Sequence, residues 1–237
     1  MAALEKAAAE TKEETGISFE FAAEGTVTEI TATGIGAHAS TPDVGNNALT
    51  GLLVFLGKLD FASCPQVDMV RKTASLFPHG DVNGKTLGVA MEDELSGNLT
   101  LSFNMLSVDA ASMDGEFDGR IPVCGNDENV LEVVRARMAE QGLTLLNKAL
   151  IPPHHVSADS YFVKTLLAAF ELYTGRKGEC QALGGGTYVH HLENGVAFGA
   201  AMPETDNKMH GPDEFAVVDE LLVSAKIFAQ AIVDLCG

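Results

Sequence analysis

Pro152 and Pro153 stand side by side where one pattern of the 237-residue chain gives way to another. Neither proline offers a backbone N–H, and both hold φ at about −65°, so no helix or ladder runs through them. Residues 151–155, IPPHH, therefore read as a linker or a domain crossing. Ahead of the break the pattern predicts a helix over 2–14 ended by Gly16, strands over 17–22 and 26–33, and a loop over 34–48, GIGAHASTPDVGNNA. A helix over 47–59 follows, with Leu49, Leu52, Leu53 and Leu56 on one face, and then a second over 66–77. Strands are predicted over 87–92 and 98–108, joined by the turn DELSG, and over 116–122. A helix over 126–141 ends at Gly142, and 143–150 reads as a strand. This order of strands, helices, strands, helix and strand is the rhythm of a ferredoxin-like α+β sandwich, one antiparallel sheet covered on one face.

Beyond the prolines the chain is thinner. A helix is predicted over 159–174 with Gly175 after it, and an amphipathic helix over 219–235. Between them, 180–183 and 196–198 read as short strands of a buried parallel sheet. Two strands give such a sheet little to pack against, so this part reads as a piece of something larger.

Lys and Arg number 15 against 33 Asp and Glu, a formal net charge of −18. That field repels phosphate backbones and anionic lipid surfaces, which argues against nucleic acid and membrane as partners. No stretch of about 20 apolar residues is present to span a bilayer. The start, MAALEKAAAETKEETG, lacks the apolar centre of a signal peptide. Cys64, Cys124, Cys180 and Cys236 are far apart with no CxxC, as free thiols in a reducing cytoplasm would be.

A few residues could carry chemistry. His38 lies among small residues in the 34–48 loop, where an imidazole could donate to a developing oxyanion; the blander alternative is a surface-loop histidine. Arg120, in FDGRIPV, is suited to bidentate capture of a carboxylate, or else pairs with Asp118 or Glu116 along its own strand. Gly184, Gly185 and Gly186 before Thr187 permit close backbone approach, but the Lys-Ser/Thr pair of a phosphate loop is missing. His210, in KMHGPDE, could ligate a metal with Asp213 or Glu214 nearby, although one histidine is not a metal site. The tandem pairs His154–His155 and His190–His191 point to opposite sides if extended, which favours structural or solvent-exposed roles. No nucleophile elbow of the Gly-x-Ser-x-Gly type appears.

Taken in order, GIGAHASTPDVGNNA, DELSGNLTLSFNML, GRIPV with its following helix, LGGGTYVHHLENGVAFGAAMPE and MHGPDE resemble one family over residues 17–237. It is the two-metal zinc peptidase family that includes the PepV-like bacterial dipeptidases, carnosinase, aminoacylase and succinyl-diaminopimelate desuccinylase. The resemblance implies a catalytic α/β domain split by an inserted ferredoxin-like lid. Residues 1–16 would be a leading helix, 17–152 the lid, a dimerisation-type domain, and 153–237 the C-terminal part of the catalytic domain. It implies that His38 stabilises the oxyanion of the tetrahedral intermediate and that Arg120 holds the substrate's C-terminal carboxylate. Gly185, Gly186 and Thr187 would line the substrate pocket, and His210 would ligate one of two divalent ions, zinc being expected. The implied reaction is hydrolysis of dipeptides or small peptides by a metal-activated water.

The family's His-x-Asp, its Glu-Glu pair and a further acidic ligand are not recognisable in the chain. The resemblance therefore implies a truncated piece of the enzyme, inactive alone and holding no metal tightly. Its partner would be the missing N-terminal part of the catalytic domain, and unpaired strand edges would favour self-association. The family's Thr-Tyr-Ala-Arg stands here as Thr187-Tyr188-Val189-His190, and its Pro-Gly as Pro203-Glu204. The alternative is a stand-alone lid-type module that binds peptide carboxylates through Arg120 without hydrolysis, or serves dimerisation.

Overall fold

The computed structural model describes residues 1–199, 202, 204–208 and 213–237. The chain forms two compact units, Met1–Pro153 and His154–Gly237. It is mixed α/β, as expected.

The first unit begins with α1 (Ala2–Thr15), which Gly16 ends in the left-handed region at φ 75°, returning its N–H to the Lys12 carbonyl. The strands β1 (Ser18–Glu24) and β2 (Val27–Thr33) form an antiparallel hairpin around a two-residue turn, with Gly25 at φ 62°. Phe19 and Phe21 of the hairpin lie on Phe55 of α2 (Ala48–Gly57), the Phe19 and Phe55 rings stacking at 4.6 Å. Asn47 caps α2 by accepting the Thr50 N–H at 3.0 Å. A second helix, α3 (Pro65–Leu76), starts on a proline whose missing N–H costs nothing there.

The main ladder pairs β5 (Thr100–Val108) with β6 (Met113–Arg120), antiparallel and with a register shift between Phe103 and Met105. Just before it, β3 (Glu92–Asp93) and β4 (Gly97–Asn98) close a small hairpin. Residues of α2, α3 and β5 meet in one core of Leu53, Leu76, Phe77, Leu87, Val89, Leu99, Leu101, Phe103, Val130 and Val134. The Phe77 and Phe103 rings stack in it at 4.5 Å. Asn126 caps the following π-helical turn (Asp127–Leu131), which runs into α4 (Glu132–Glu140).

Three expectations for this unit are corrected. Residues 87–92 do not form a strand up to Glu92. Gly84 and Gly88 both sit at positive φ, 68° and 81°, and bend the chain so that Leu87 and Val89 are both buried. Residues 143–150 form no strand either. Their backbone is held by side chains: Arg135 donates to the Asn147 carbonyl at 2.7 Å, and Asp127 accepts the Leu150 N–H at 2.9 Å. With those groups satisfied, Leu143, Leu145 and Leu150 reach the core without a ladder. The single antiparallel sheet of a ferredoxin-like sandwich is also not assembled, because the strands pair as three separate two-stranded ladders.

The second unit is built on α5 (Tyr161–Thr174), capped by Ser160 and closed by Gly175 at φ 66°, and α6 (Val218–Cys236). Leu166 and Ala169 of α5 pack on Ile227 and Ala231 of α6. Residues 180–183 and 196–198 form no strands, which corrects the parallel-sheet expectation. Val196 and Phe198 instead pack on the two helices, and Leu183 is exposed. Apolar runs this short need neighbouring strands to hold a ladder. Among the described residues no helix is long and apolar enough to cross a membrane, and all four cysteines are free thiols.

Two predictions test this packing. A methyl added at Gly51 would be driven into the fully buried Ile17 side chain. Overpacking costs about 1–3 kcal/mol while replacing glycine in a helix returns about 1 kcal/mol, so Gly51→Ala is expected to lower stability in urea unfolding. Asp93 accepts the Ser96, Leu95 and Cys124 N–H groups at 2.7, 2.9 and 3.0 Å. The Ser96 N–H foremost, with those of Cys124 and Leu95, holds its carboxyl down from 3.8 to about 2 against the opposing effect of burial. A carboxyl lowered by folding stabilises above its unfolded value and loses that contribution as pH falls. Acid unfolding curves should therefore show a loss from pH 3.8 down to about 2 that is flattened in Asp93→Asn.

Candidate functional site

Alternation along β5 and β6 sends side chains to two faces. Leu101, Phe103 and Phe117 go to the core, and the opposite pairs Thr100–Arg120 and Ser102–Asp118 share the other face. Arg120 is the last residue of β6, with Ile121 and Pro122 following.

The guanidinium is held side-on by its strand neighbour. Nε donates to Asp118 Oδ1 at 2.6 Å and Nη2 to Asp118 Oδ2 at 2.8 Å. Both side chains are about one-third exposed, at 30% and 32%. Pairing with Asp118 was one of the two alternatives for Arg120. The side-on mode uses two of the five N–H donors, so the edge formed by Nη1 and the second Nη2 hydrogen is not consumed by this pair.

His38 comes to the same end of the ladder. The 34–46 loop is closed by a bridge between Ile35 and Asn46, and Asn46 donates from Nδ2 to the Thr15 carbonyl at 2.8 Å. Within the loop, Pro42–Val44 form a 3₁₀ turn. Thr100, the residue directly opposite Arg120, donates its hydroxyl to the Ala39 carbonyl at 3.3 Å. The loop that carries His38 is thereby tied to the strand position that faces Arg120.

Ser40 sets the imidazole. Its N–H donates to His38 Nδ1 at 3.2 Å, and its hydroxyl lies 2.7 Å from the same nitrogen. A ring nitrogen that accepts a backbone N–H carries no proton, which puts the neutral ring's N–H on Nε2. In the neutral tautomer that this bond selects, the His38 donor is therefore Nε2–H. Neither Ser40 nor Thr100 was singled out from sequence. The signal for Ser40 was its place two residues after His38, the spacing of local side-chain-to-backbone turns.

The second unit holds the remaining candidates. Gly185 and Gly186 are not at positive φ, and a Cβ at either would meet open space. Thr187 precedes a 3₁₀ turn over Tyr188–His191, too short to make an anion site. His154 donates from Nε2 to the Gly195 carbonyl at 2.6 Å, and its ring lies 5.8 Å from that of His190, which in turn is 5.6 Å from His191. His210 lies outside the described residues. Among the described residues no group of three or more His, Cys, Asp and Glu side chains converges to hold a metal ion.

No known family profile matches the chain. Curated proteins do. The chain is 34% identical over 208 residues to the Beta-Ala-Xaa dipeptidase of Lactobacillus delbrueckii subsp. lactis, covering 87% of this chain and 44% of that protein. It is 37% identical over 207 residues to a Bacillus subtilis (strain 168) protein named "Putative dipeptidase YtjP", covering 85% and 43%. Both relatives carry dipeptidase names, in agreement with the family that the motifs resemble, and the chain spans less than half the length of each.

The tautomer is directly testable. Nitrogen-15 NMR of the chain at neutral pH is expected to show His38 protonated at Nε2, and Ser40→Ala is expected to shift population toward Nδ1–H. An unchanged tautomer ratio in the variant would remove the Ser40 hydroxyl from this role.

Proposed function

We propose that the first unit is the substrate-recognising lid of a dipeptidase acting on small peptides with a free C-terminal carboxylate, and that the second unit is the C-terminal part of its catalytic domain. The observation that carries this reading is the Thr100 link between the His38 loop and the strand position facing Arg120. A carboxylate clamp and a neutral N–H donor at one end of one ladder are what peptide hydrolysis asks of a recognition element. Arg120 would hold the terminal carboxylate through the edge that Asp118 leaves. His38 Nε2–H would stabilise the negative oxygen that forms when the scissile carbonyl is attacked. Gly185, Gly186 and Thr187 would line the substrate pocket of the complete enzyme, as the resemblance implies.

The resemblance implies two divalent ions, zinc being expected, with His210 as one ligand. The described residues do not by themselves fit such a group. The remaining ligands and the water-activating base would come from a partner segment, for which the unmatched part of the dipeptidase relatives is the natural source. The exposed Leu222, Phe228, Ile232 and Val233 of α6 give such a segment, or a second copy, an apolar surface to bury. Four free thiols suit a cytoplasmic location.

The test joins this chain to the unmatched part of the Lactobacillus relative and measures hydrolysis of β-Ala-Xaa dipeptides with zinc supplied. The joined protein is expected to hydrolyse them and the chain alone is not. In the joined protein, His38→Ala is expected to lower kcat about 100-fold, as loss of an oxyanion donor does. Arg120→Ala is expected to raise KM and to lower kcat/KM by about 2 kcal/mol or more. An effect of His38→Ala confined to KM would contradict the oxyanion role, and unchanged kinetics in Arg120→Ala would contradict the clamp.

A further inference from the structure

We propose that Asp118 is the positioning residue for Arg120, so that the Asp118–Arg120 pair, rather than the arginine alone, forms the subsite for a peptide carboxylate. The inference rests on the reading of Arg120 as the carboxylate clamp. Residues i and i+2 of a strand share a face, so the spacing in FDGR sets the two side chains alongside each other. Asp118 takes Nε and one side of Nη2 in two short bonds of 2.6 and 2.8 Å. That arrangement fixes the plane and direction of the guanidinium. The edge left over carries the parallel N–H pair that a second carboxylate matches. An arginine side chain otherwise loses much rotamer freedom on binding, and a guanidinium already pinned by a neighbour has lost it beforehand. Thr100 and Ser102, opposite Arg120 and Asp118, add only neutral side chains to this face.

Asp118 has a second, opposing effect, since its negative charge repels an incoming carboxylate. The two effects predict opposite signs for its removal, and this makes the proposal decidable. If Asp118 acts only as a nearby charge, neutralising it tightens carboxylate binding. If it positions Arg120, neutralising it weakens binding despite the relieved repulsion.

The experiment titrates β-alanyl-glycine and its C-terminal amide into the full chain at pH 7, following the Arg120 Nε–H resonance by NMR and affinity by calorimetry. The chain is expected to prefer the acid over the amide. In the isosteric Asp118→Asn variant the acid is expected to bind about tenfold more weakly, the scale of a lost charge-assisted hydrogen bond, with the amide unchanged. Asp118→Ala is expected to weaken it further, and Asp118→Glu to restore part of the loss. Circular dichroism reports whether each variant is folded, and Asp118→Asn decides the matter if the alanine variant does not fold. Equal or tighter acid binding in Asp118→Asn overturns the positioning role while leaving the clamp intact, provided that Arg120→Ala still abolishes the preference for the acid. A preference that survives Arg120→Ala, or is missing in the unsubstituted chain, overturns the clamp and this proposal with it.

Discussion

Asn47 uses both ends of its amide, and the first unit depends on it. Its oxygen accepts the Thr50 N–H at 3.0 Å and so starts α2, while its nitrogen donates to the Phe103 carbonyl at 2.8 Å, at the register shift of β5. A helix cap contributes about 1 kcal/mol, and a buried carbonyl left without its donor costs about 1–3 kcal/mol, so one residue secures two separate terms. The bonds reach further than their energy. They fix the C-terminal end of the 34–46 loop against the main ladder, while the Ile35–Asn46 bridge and the Asn46 bond to Thr15 close the loop on itself and on α1. His38 is therefore carried by a loop, but its place is set by α1, α2 and β5.

The period-2 geometry of β5 and β6 then serves core and site together. Leu101, Phe103 and Phe117 satisfy the apolar face, and the alternation that buries them delivers Thr100, Ser102, Asp118 and Arg120 to the other face. A slip of one residue would exchange the two sets. The packing of Phe77 on Phe103 and Phe117, at 4.5 and 5.3 Å, therefore helps to hold Arg120 on the polar side as well as stabilising the core.

Helices were largely legible in the sequence because their ends carry local signals: Gly16 and Gly175 in the left-handed region, Asn47, Asn126 and Ser160 as caps. Short apolar runs were not. Residues 143–150 have the alternation of a strand, yet what decides between a ladder and a packed loop is where the backbone finds its partners. Arg135 and Asp127 supply them from the helical segment just before, through side chains whose reach a strand pattern does not reveal. Residues 180–183 and 196–198 fail for a related reason, since among the described residues too little neighbouring strand is present to pair them. Of the candidate site, strand spacing left Asp118 and Glu116 open as partners of Arg120 and the structure has Asp118, while His38 was singled out from its loop. The Thr100 link was not, because it joins residues 61 apart through a single hydroxyl.

On the proposed reading, a chain with a net charge of −18 recognises an anionic group, and this conflict resolves by distance. Exposed charges act over a screening length of about 8 Å in physiological salt, and at that range the acidic surface repels a peptide carboxylate. At hydrogen-bonding range the sign of the net charge matters less than the direction of donors. Asp118 neutralises Arg120 as a pair but leaves an edge of parallel N–H groups, and in the neutral His38 ring the N–H lies on Nε2. Both recognition elements are thus oriented donors rather than surplus positive charge. Selectivity on this design comes from the fit of a planar carboxylate to a planar fork and of a developing oxyanion to a fixed N–H, each held in place by a neighbour two residues away in the chain.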